Sequence, residues 1–154
     1  MIGEHTRAAL CATLLLSACA STPPAPARPA VSAATSAAAA SYAAAMIGKP
    51  YRYAGSTPAG FDCSGLVQYS YGKAGVRVSR DTQALLELSF GVDPGDLRRG
   101  DLLFFDEDGK KRSHVGIYLG ARRFVHAPSS GGKVRSDNLD ASYWRKHFIE
   151  ARRL

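Results

Sequence analysis

The chain has 154 residues, of which 45% are hydrophobic and 21% are charged. These proportions are close to those of ordinary globular proteins, and they exclude a wholly disordered chain, a collagen-like chain and a polytopic membrane protein. The length allows one domain of ordinary size. A formal net charge of +7 is compatible with a nucleic acid, an anionic membrane surface or an anionic polymer as a partner.

The N-terminal residues have the pattern of an export signal. A short polar start that carries Arg7 is followed by an apolar run over residues 8–16, which is too short to cross a bilayer. Residues 16–19, Leu-Ser-Ala-Cys, resemble the bacterial lipobox, in which the signal is cut before a cysteine that is then acylated. We therefore expect residues 1–18 to be a lipoprotein signal peptide and Cys19 to carry the lipid that anchors the protein to a membrane. The alternative is an ordinary signal peptide with an incidental cysteine. Export makes nucleic acid an improbable partner.

Residues 19–40 have the composition of a tether. They are almost entirely Ala, Pro, Ser and Thr, which cannot build a hydrophobic core. We expect the proline-rich first half to be extended and the alanine-rich second half to become helical near Ala37. The folded domain is expected to span residues 41–154 and to be monomeric. On this interpretation Cys63 is the one cysteine of the mature chain that remains a thiol.

Helix signals precede strand signals in the domain. Asp62 is a suitable N-cap for a helix with an apolar stripe over residues 63–74, and a second helix is predicted over 81–88. After Gly100, short apolar runs separated by turn residues predict antiparallel strands. The strands are predicted at 102–105, 115–119 and 124–127, with weaker candidates at 134–136 and 148–152 and a helical turn near 143–144. Helices first and a strand meander second predict an α+β fold.

Cys63 is a candidate nucleophile because it lies on the first turn of the predicted helix. Free backbone N–H groups and the helix dipole favour a thiolate there, so we expect the pKa of Cys63 to be lowered. His114 and His126 lie on neighbouring predicted strands, and a thiol, an imidazole and a third group that orients the imidazole are the parts of an activated cysteine. From position alone, the alternatives are a structural cysteine and structural histidines.

The hairpin that joins the two histidine strands has a testable register. Residues paired across an antiparallel hairpin lie on the same face of the sheet, and neighbours along each strand alternate between faces. Because 114 and 126 are both even, the two histidines lie on one face only if the sequence numbers of each residue pair add up to an even number. A strict two-residue turn at Gly120-Ala121 puts His114 and His126 on opposite faces, whereas a three-residue connection or an equivalent bulge puts them on one. We predict the second case, with one face turned toward the N-terminus of the Cys63 helix. Its residues are His114, Gly116, Tyr118, Phe124 and His126.

A series of short motifs resembles the NlpC/P60 family of cell-wall peptidases. The motifs are Pro-Tyr-Arg-Tyr-Ala-Gly at 50–55, Asp-Cys-Ser-Gly at 62–65, Gly-Asp-Leu-Leu-Phe-Phe at 100–105, His-Val-Gly-Ile-Tyr at 114–118 and Phe-Val-His-Ala at 124–127. The likeness runs from about Tyr42 to Leu154, and its closing motifs resemble those of Gram-negative lipoprotein members. The resemblance implies a papain-like α+β fold with N-terminal helices packed on an antiparallel sheet, and it implies no metal and no cofactor. Ser56 and Arg99 depart from the Gly and Pro that are frequent in the family, which leaves substrate preference open.

The resemblance implies a Cys-His-His peptidase that cleaves an amide in peptidoglycan stem peptides or cross-links through a thioester acyl-enzyme. It assigns the nucleophile to Cys63, the base to His114 and the orientation of His114 to His126. The backbone N–H of Cys63 and the hydroxyl of Tyr53 are expected to form the oxyanion hole.

The resemblance also implies that Asp62 and Ser64 bind polar groups of the stem peptide. Helix N-capping is the alternative role for these residues, and the two uses are compatible. We expect the protein at the periplasmic face of a bacterial membrane, with the outer membrane favoured because Ala20 rather than Asp follows the acylated cysteine.

Three other functions compete with the peptidase. One is a non-catalytic lipoprotein that binds cell-wall peptides or serves as an adaptor. Another is a Cys/His/His zinc site, although the spacing typical of zinc ligands is missing. The third is a related thiol acyltransferase or amidase.

Overall fold

The computed structural model describes residues 30–107 and 109–154. The predicted signal peptide, Cys19 and the rest of the predicted tether up to residue 29 lie outside these residues. Within them, no helix is long and apolar enough to cross a membrane. The elements in chain order are α1 Ala33–Ala44, β1 Ser56–Thr57, β2 Gly60–Phe61, α2 Cys63–Lys73, α3 Thr82–Glu87, β3 Phe90–Val92, β4 Leu102–Glu107, β5 Lys110–Gly120, β6 Arg123–His126, β7 Arg135–Asn138, α4 Ser142–His147 and β8 Phe148–Arg153.

The centre of the fold is a sheet of six strands in the order β3-β8-β4-β5-β6-β7, in which each neighbouring pair is antiparallel. The predicted α+β class is therefore confirmed. The predicted helices at 63–74 and 81–88 match α2 and α3 closely, and each predicted strand overlaps an observed one. The strands β1, β2 and β3 are two or three residues long, too short to give a periodic pattern.

The folded body begins earlier than the predicted boundary at residue 41. Helix α1 starts at Ala33, where the Ser32 hydroxyl caps it by accepting a hydrogen bond from the backbone N–H of Thr35 at 3.1 Å. Ala39 and Ala40 are fully buried. Alanine is the strongest helix former and its small side chain permits close packing, so a composition typical of a tether forms a helix with one buried face here.

Two hydrophobic clusters cover the two faces of the sheet. The first joins one face to α1, α2 and α3, and its sheet residues include Phe104, Val115 and Ile117. The second lies on the opposite face and is closed by Trp144 of α4. It contains Leu103, Phe105, Tyr118, Phe124, Leu139, Trp144 and Ala151. Alternating residues of the same strands therefore belong to different clusters.

The N-terminus of α2 is held by a close backbone approach. A Cβ atom on Gly65 would lie 1.9 Å from the carbonyl oxygen of Gly55, so only glycine fits at this position. The same carbonyl accepts a hydrogen bond from the backbone N–H of Asp62 at 3.0 Å. The loop before α2 therefore fixes the position of the helix end that carries Cys63.

Candidate active site

Cys63 is the first residue of α2, and Asp62 is its N-cap. The Oδ1 atom of Asp62 accepts a hydrogen bond from the backbone N–H of Gly65 at 2.8 Å, which is the capping role considered for this residue. Among the described residues, Cys63 is a free and half-buried thiol.

The hairpin of β5 and β6 has the predicted register, in which the sequence numbers of paired residues near the histidines add up to an even number. Ile117 pairs with Val125 and Tyr118 with Phe124, after which the register shifts and Gly120 pairs with Arg123. The turn is Ala121-Arg122, with φ of 48° and 59°, and the extra residue in β5 forms a bulge. The prediction of a bulge or an odd-length connection is confirmed, although the bulge lies in the strand and the turn has two residues.

The two histidines therefore share a face and form a hydrogen bond. Nε2 of His114 lies 2.8 Å from Nδ1 of His126. His114 is 3% exposed and His126 is fully buried. A Cβ atom on Gly116 would lie 2.6 Å from the ring of Phe124. Glycine at this position therefore leaves room for the Phe124 ring, which lies against the ring of His126.

The face that carries the histidines is the one closed by Trp144, opposite the face on which α2 packs. We predicted that the histidine face would turn toward the N-terminus of the Cys63 helix, but α1, α2 and α3 pack against the other face of the sheet. Cys63 and His114 nevertheless line one cavity of about 270 Å³. The other lining residues are Tyr51, Glu107, Ser113, Ala127 and Ser129.

Two carboxylates that sequence reasoning missed contact the histidine pair. Oδ2 of Asp137 lies 3.1 Å from Nε2 of His126, and Oε2 of Glu107 lies 3.3 Å from Nδ1 of His114. Asp137 is in β7, opposite Phe124 in the neighbouring strand. Nothing in the local sequence distinguishes it, because its place depends on the register of β6 and β7.

Burial keeps both imidazoles neutral near neutral pH. It lowers the pKa of His114 to about 3, and the electrostatic effects of His126 and Arg135 act in the same direction. Burial also lowers the pKa of His126, although the hydrogen bond and charge of Asp137 act against it. A neutral imidazole has one nitrogen with a proton and one with a lone pair, so His114 can accept a proton.

The thiol of Cys63 does not have the lowered pKa that its helix position predicted. Burial raises the pKa of Cys63, and hydrogen bonds from the backbone of Val115 and Ser64 offset this only in part. The prediction was wrong because it counted the helix N-terminus but not the loss of hydration, which disfavours the charged form. The resting site therefore holds a neutral thiol beside a neutral imidazole. Among the described residues, no group of three or more His, Cys, Asp or Glu side chains could hold a metal ion.

Tyr53 is not brought to the cavity. Its side chain is 86% exposed, whereas Tyr51, two positions earlier, lines the cavity with Cys63. The backbone of Tyr51 is held by a hydrogen bond to the carbonyl oxygen of Gly132 at 2.7 Å. Burial, followed by the charge of Asp62, raises the pKa of Tyr51, so its hydroxyl remains a hydrogen-bond donor.

Asp62 and Ser64 are joined by Arg80. The guanidinium of Arg80 donates hydrogen bonds to Oδ2 of Asp62 at 2.5 Å and to Oγ of Ser64 at 2.6 Å. The Arg80 side chain is 35% exposed. The two residues expected to bind substrate thus form one polar cluster next to Cys63, with an arginine that sequence reasoning did not select.

The sequence profile of the NlpC/P60 family matches residues 48–153. The chain is 39% identical over 114 residues to "Murein DD-endopeptidase MepH" of Escherichia coli K12, covering 71% of this chain and 42% of that relative. It is 42% identical over 108 residues to "Murein DD-endopeptidase MepS/Murein LD-carboxypeptidase" of the same strain, covering 70% of this chain and 56% of the relative. The matches therefore span about half the length of these two relatives.

A further relative and a solved structure extend the likeness to most of the chain. "Probable endopeptidase NlpC" of Escherichia coli K12 is 37% identical over 149 residues, which cover 94% of this chain and 96% of the relative. The crystal structure of a lipoprotein-like NLP/P60 family protein from Staphylococcus aureus Mu50 superimposes with a TM-score of 0.70 at 32% identity. It covers 84% of this chain and 44% of the other.

Proposed function

Because this chain belongs to the NlpC/P60 family, we propose that it is a cysteine peptidase that hydrolyses an amide bond in peptidoglycan stem peptides or their cross-links. One observation carries the proposal. Cys63 and His114 line the same cavity, and Nε2 of His114 is hydrogen-bonded to Nδ1 of His126. The printed names of MepH and MepS as murein endopeptidases support peptidoglycan as the substrate.

In the acylation half of the reaction, Nδ1 of His114 is the base. Its Nε2 is engaged with His126, so the base is Nδ1, which lies 3.3 Å from Oε2 of Glu107. The proton of the Cys63 thiol passes to Nδ1 while Sγ forms a bond with the scissile carbonyl carbon. The tetrahedral intermediate then expels the amine, which takes the proton from His114, and a thioester remains.

Deacylation uses the same groups in reverse order. His114 takes a proton from a water molecule, whose oxygen bonds to the thioester carbon. The C–S bond then breaks, the acid product leaves, and the proton on His114 returns to the sulfur of Cys63. The site is restored with a neutral thiol and a neutral imidazole.

The oxyanion of both tetrahedral intermediates is stabilised by the backbone N–H of Cys63 and by the hydroxyl of Tyr51. The position of Tyr51 in the cavity lining supports this role, which the exposed Tyr53 is not placed to fill. One such donor contributes about 3 to 4 kcal/mol to transition-state stabilisation.

Asp62 and Ser64 bind polar groups of the stem peptide together with Arg80. The cluster is next to the nucleophile in sequence and presents a partly exposed guanidinium. A guanidinium pairs well with a carboxylate, which stem peptides carry. Asp62 keeps its capping role in this arrangement because it uses Oδ1 for the cap and Oδ2 for Arg80.

We assign the mature protein to the periplasmic face of a bacterial membrane, held by acyl chains on Cys19 and favouring the outer membrane. It acts there as a monomer on the cell wall, and nucleic acid is not a partner. The support is the lipobox-like sequence at residues 16–19 and the extracytoplasmic substrate in the names of the relatives.

The function is tested by digesting purified muropeptides with the wild-type protein and with Cys63→Ala, followed by mass spectrometry. We expect the wild type to release products with one new amine and one new carboxylate, and we expect Cys63→Ala and His114→Gln to release none. His147→Gln is the matched control, since Nδ1 of His147 is hydrogen-bonded to the carbonyl oxygen of Tyr143 in α4 and His147 lies outside the cavity lining. Equal thermal midpoints show that the inactive variants are folded. An inactive wild type that binds muropeptides would favour the non-catalytic lipoprotein instead.

A further inference from the structure

Two hydrogen-bond donors and a ring nitrogen of His126 converge on one oxygen atom behind the histidine pair. Oδ2 of Asp137 lies 2.9 Å from Nε1 of Trp144, 3.1 Å from Nε of Arg135 and 3.1 Å from Nε2 of His126. An indole and a guanidinium can only donate. Asp137 therefore serves as an acceptor, and these hydrogen bonds, that of His126 foremost, hold the pKa of its carboxyl well below the usual range.

An ionised carboxylate dictates the tautomer of His126. Because the carboxylate has no proton to donate, Nε2 of His126 must carry the hydrogen that lies between them. His126 is fully buried and neutral, so it has only one ring proton. Its Nδ1 therefore carries a lone pair, which is directed at His114.

The same argument passes to His114. Nδ1 of His126 is 2.8 Å from Nε2 of His114, and a lone pair at that distance requires a donor. His114 must carry its proton on Nε2. As a neutral imidazole it then presents a lone pair at Nδ1, the nitrogen that the proposed reaction uses as its base.

We propose that Asp137 is a positioning residue that fixes the tautomers of His126 and His114, so that the lone pair at Nδ1 of His114 is available to the thiol of Cys63. Without Asp137, His126 can carry its proton on Nδ1 and donate it to Nε2 of His114. His114 would then hold its proton on Nδ1 and could not accept another without becoming charged in a buried site. The catalytic consequence rests on the proposed function, but the tautomers themselves do not.

The packing around the pair limits reorientation of the rings. The ring of Trp144 stacks on His114 with centroids 5.9 Å apart and meets His126 edge to face at 4.8 Å. In the register of β6 and β7, Arg135 is opposite His126 and Asp137 is opposite Phe124, so both β7 residues lie on the histidine face. Among the described residues, Glu107 contacts His114 and Arg135 contacts the carboxylate of Asp137. The carboxylate thus acts on rings whose positions are already set.

Nitrogen-15 NMR of the ring nitrogens measures the tautomers directly. We expect His114 and His126 of the wild-type protein to be Nε2–H tautomers at pH 7, and we expect Asp137→Ala to populate the Nδ1–H form of both. We expect kcat for muropeptides to fall at least about tenfold in this variant, with a smaller change in KM. Asp140→Ala is the control, because Asp140 is an exposed carboxylate that pairs with Arg122 and does not contact the histidines.

A double-mutant cycle separates positioning from a general structural role. In His126→Gln, the amide oxygen of the glutamine accepts the hydrogen bond from Nε2 of His114. An amide has no ring tautomer, so this acceptor does not depend on Asp137. We therefore expect Asp137→Ala to reduce kcat much less in the His126→Gln background than in the wild type. A structural role predicts the same fold-loss in both backgrounds, and that result would overturn the proposal. If Asp137→Ala does not fold, Asp137→Ser is used, since a hydroxyl can donate or accept and imposes no tautomer.

The NMR measurement also separates failure of this inference from failure of the proposed function. A wild-type protein that does not cleave muropeptides but shows the tautomer change on mutation would retain the positioning role and lose the peptidase. A wild type that cleaves muropeptides, with Nε2–H tautomers unchanged in Asp137→Ala, would retain the peptidase and refute the role of Asp137.

Discussion

Oε2 of Glu107 lies 3.3 Å from Nδ1 of His114, the ring nitrogen that does not face His126. The Glu107 side chain is 16% exposed, and it lines the cavity that also contains Cys63. A carboxylate at this distance favours the protonated form of the imidazole, whose positive charge develops when the thiol loses its proton. Glu107 therefore stabilises the charged state of His114 that burial disfavours.

Glu107→Gln should reduce kcat and move the acid limb of the kcat/KM profile to lower pH. The direction follows because loss of a negative neighbour disfavours the protonated form of His114 and so lowers its pKa. The measurement is the pH–rate profile on purified muropeptides. Glu150→Gln is the control, because it removes a carboxylate that pairs instead with Arg112 and Arg152. An acid limb that does not move would contradict this role.

Tyr51→Phe should lower kcat by roughly 100-fold, as expected for loss of one oxyanion-hole donor. Tyr53→Phe should stay within about twofold of the wild type, because its side chain is 86% exposed and outside the cavity lining. The two variants each remove a single hydroxyl from neighbouring positions in the same loop. Steady-state kinetics on one muropeptide compares them, and the reverse order of effects would restore Tyr53 to the oxyanion hole.

Local patterns predicted the parts of the site that depend on local structure. The relation between Asp62 and Gly65, three positions apart, marks the start of α2 and so places Cys63 on its first turn. The parity of the β5–β6 hairpin could be predicted because the connection between His114 and His126 is short. These two features required no knowledge of the rest of the fold.

The remaining features depend on distant contacts or on burial. Asp137 reaches His126 only through the register of β7, and the long segment between β6 and β7 does not determine that register. Tyr51 and Tyr53 lie in a loop without periodicity, so the sequence could not say which one enters the cavity. The pKa of Cys63 combines a local effect of the helix with desolvation by the fold, and only the first is visible in the sequence.

The thiol of Cys63 should react slowly with iodoacetamide at pH 7, with a rate that continues to rise above pH 9. Burial raises the pKa of this thiol, and the thiolate is the form that attacks the reagent. The alkylation rate is measured against pH by mass spectrometry of the intact mature protein, with Cys63→Ser as the blank. A plateau reached below pH 7 would indicate a thiolate–imidazolium pair instead of a neutral resting site.

Cys19→Ser should convert the protein from a membrane-bound form to a soluble periplasmic one. The prediction assigns membrane attachment to the acyl chains on this residue, since each buried methylene contributes about 0.8 kcal/mol. Fractionation of cells that express the full chain, with labelling by a radioactive fatty acid, measures both attachment and acylation. Cys11→Ser is the matched control, because that cysteine is predicted to leave with the signal peptide. A Cys19→Ser protein that stays with the membranes after a high-salt wash would contradict the anchor.

Acid should unfold this protein over a pH range set by its buried histidines. The pKa of His114 is about 3 in the folded state against an ordinary value of 6.5, and that of His126 is lowered too. Between those values the unfolded chain binds more protons than the folded one, so the free energy of unfolding is largest above pH 6.5 and falls as the pH decreases. Each histidine contributes at most about 1.4 kcal/mol per pH unit in that window.

In the window from pH 6.5 to about 4.5 the histidines of the unfolded chain titrate, whereas Asp137 does not. The pKa of Asp137 is lowered from an ordinary value of 3.8, so the stability it contributes is present above that value and is lost only at lower pH. Urea midpoints measured at pH 7.5 and 4.5 should therefore fall steeply for the wild type and for His147→Gln. The fall should be smaller for His114→Asn, which removes the titrating ring whose pKa is lowered to about 3 while keeping a polar side chain. Parallel pH dependence in all three proteins would show that other groups control the acid sensitivity and that the imidazole pair is not held neutral by burial.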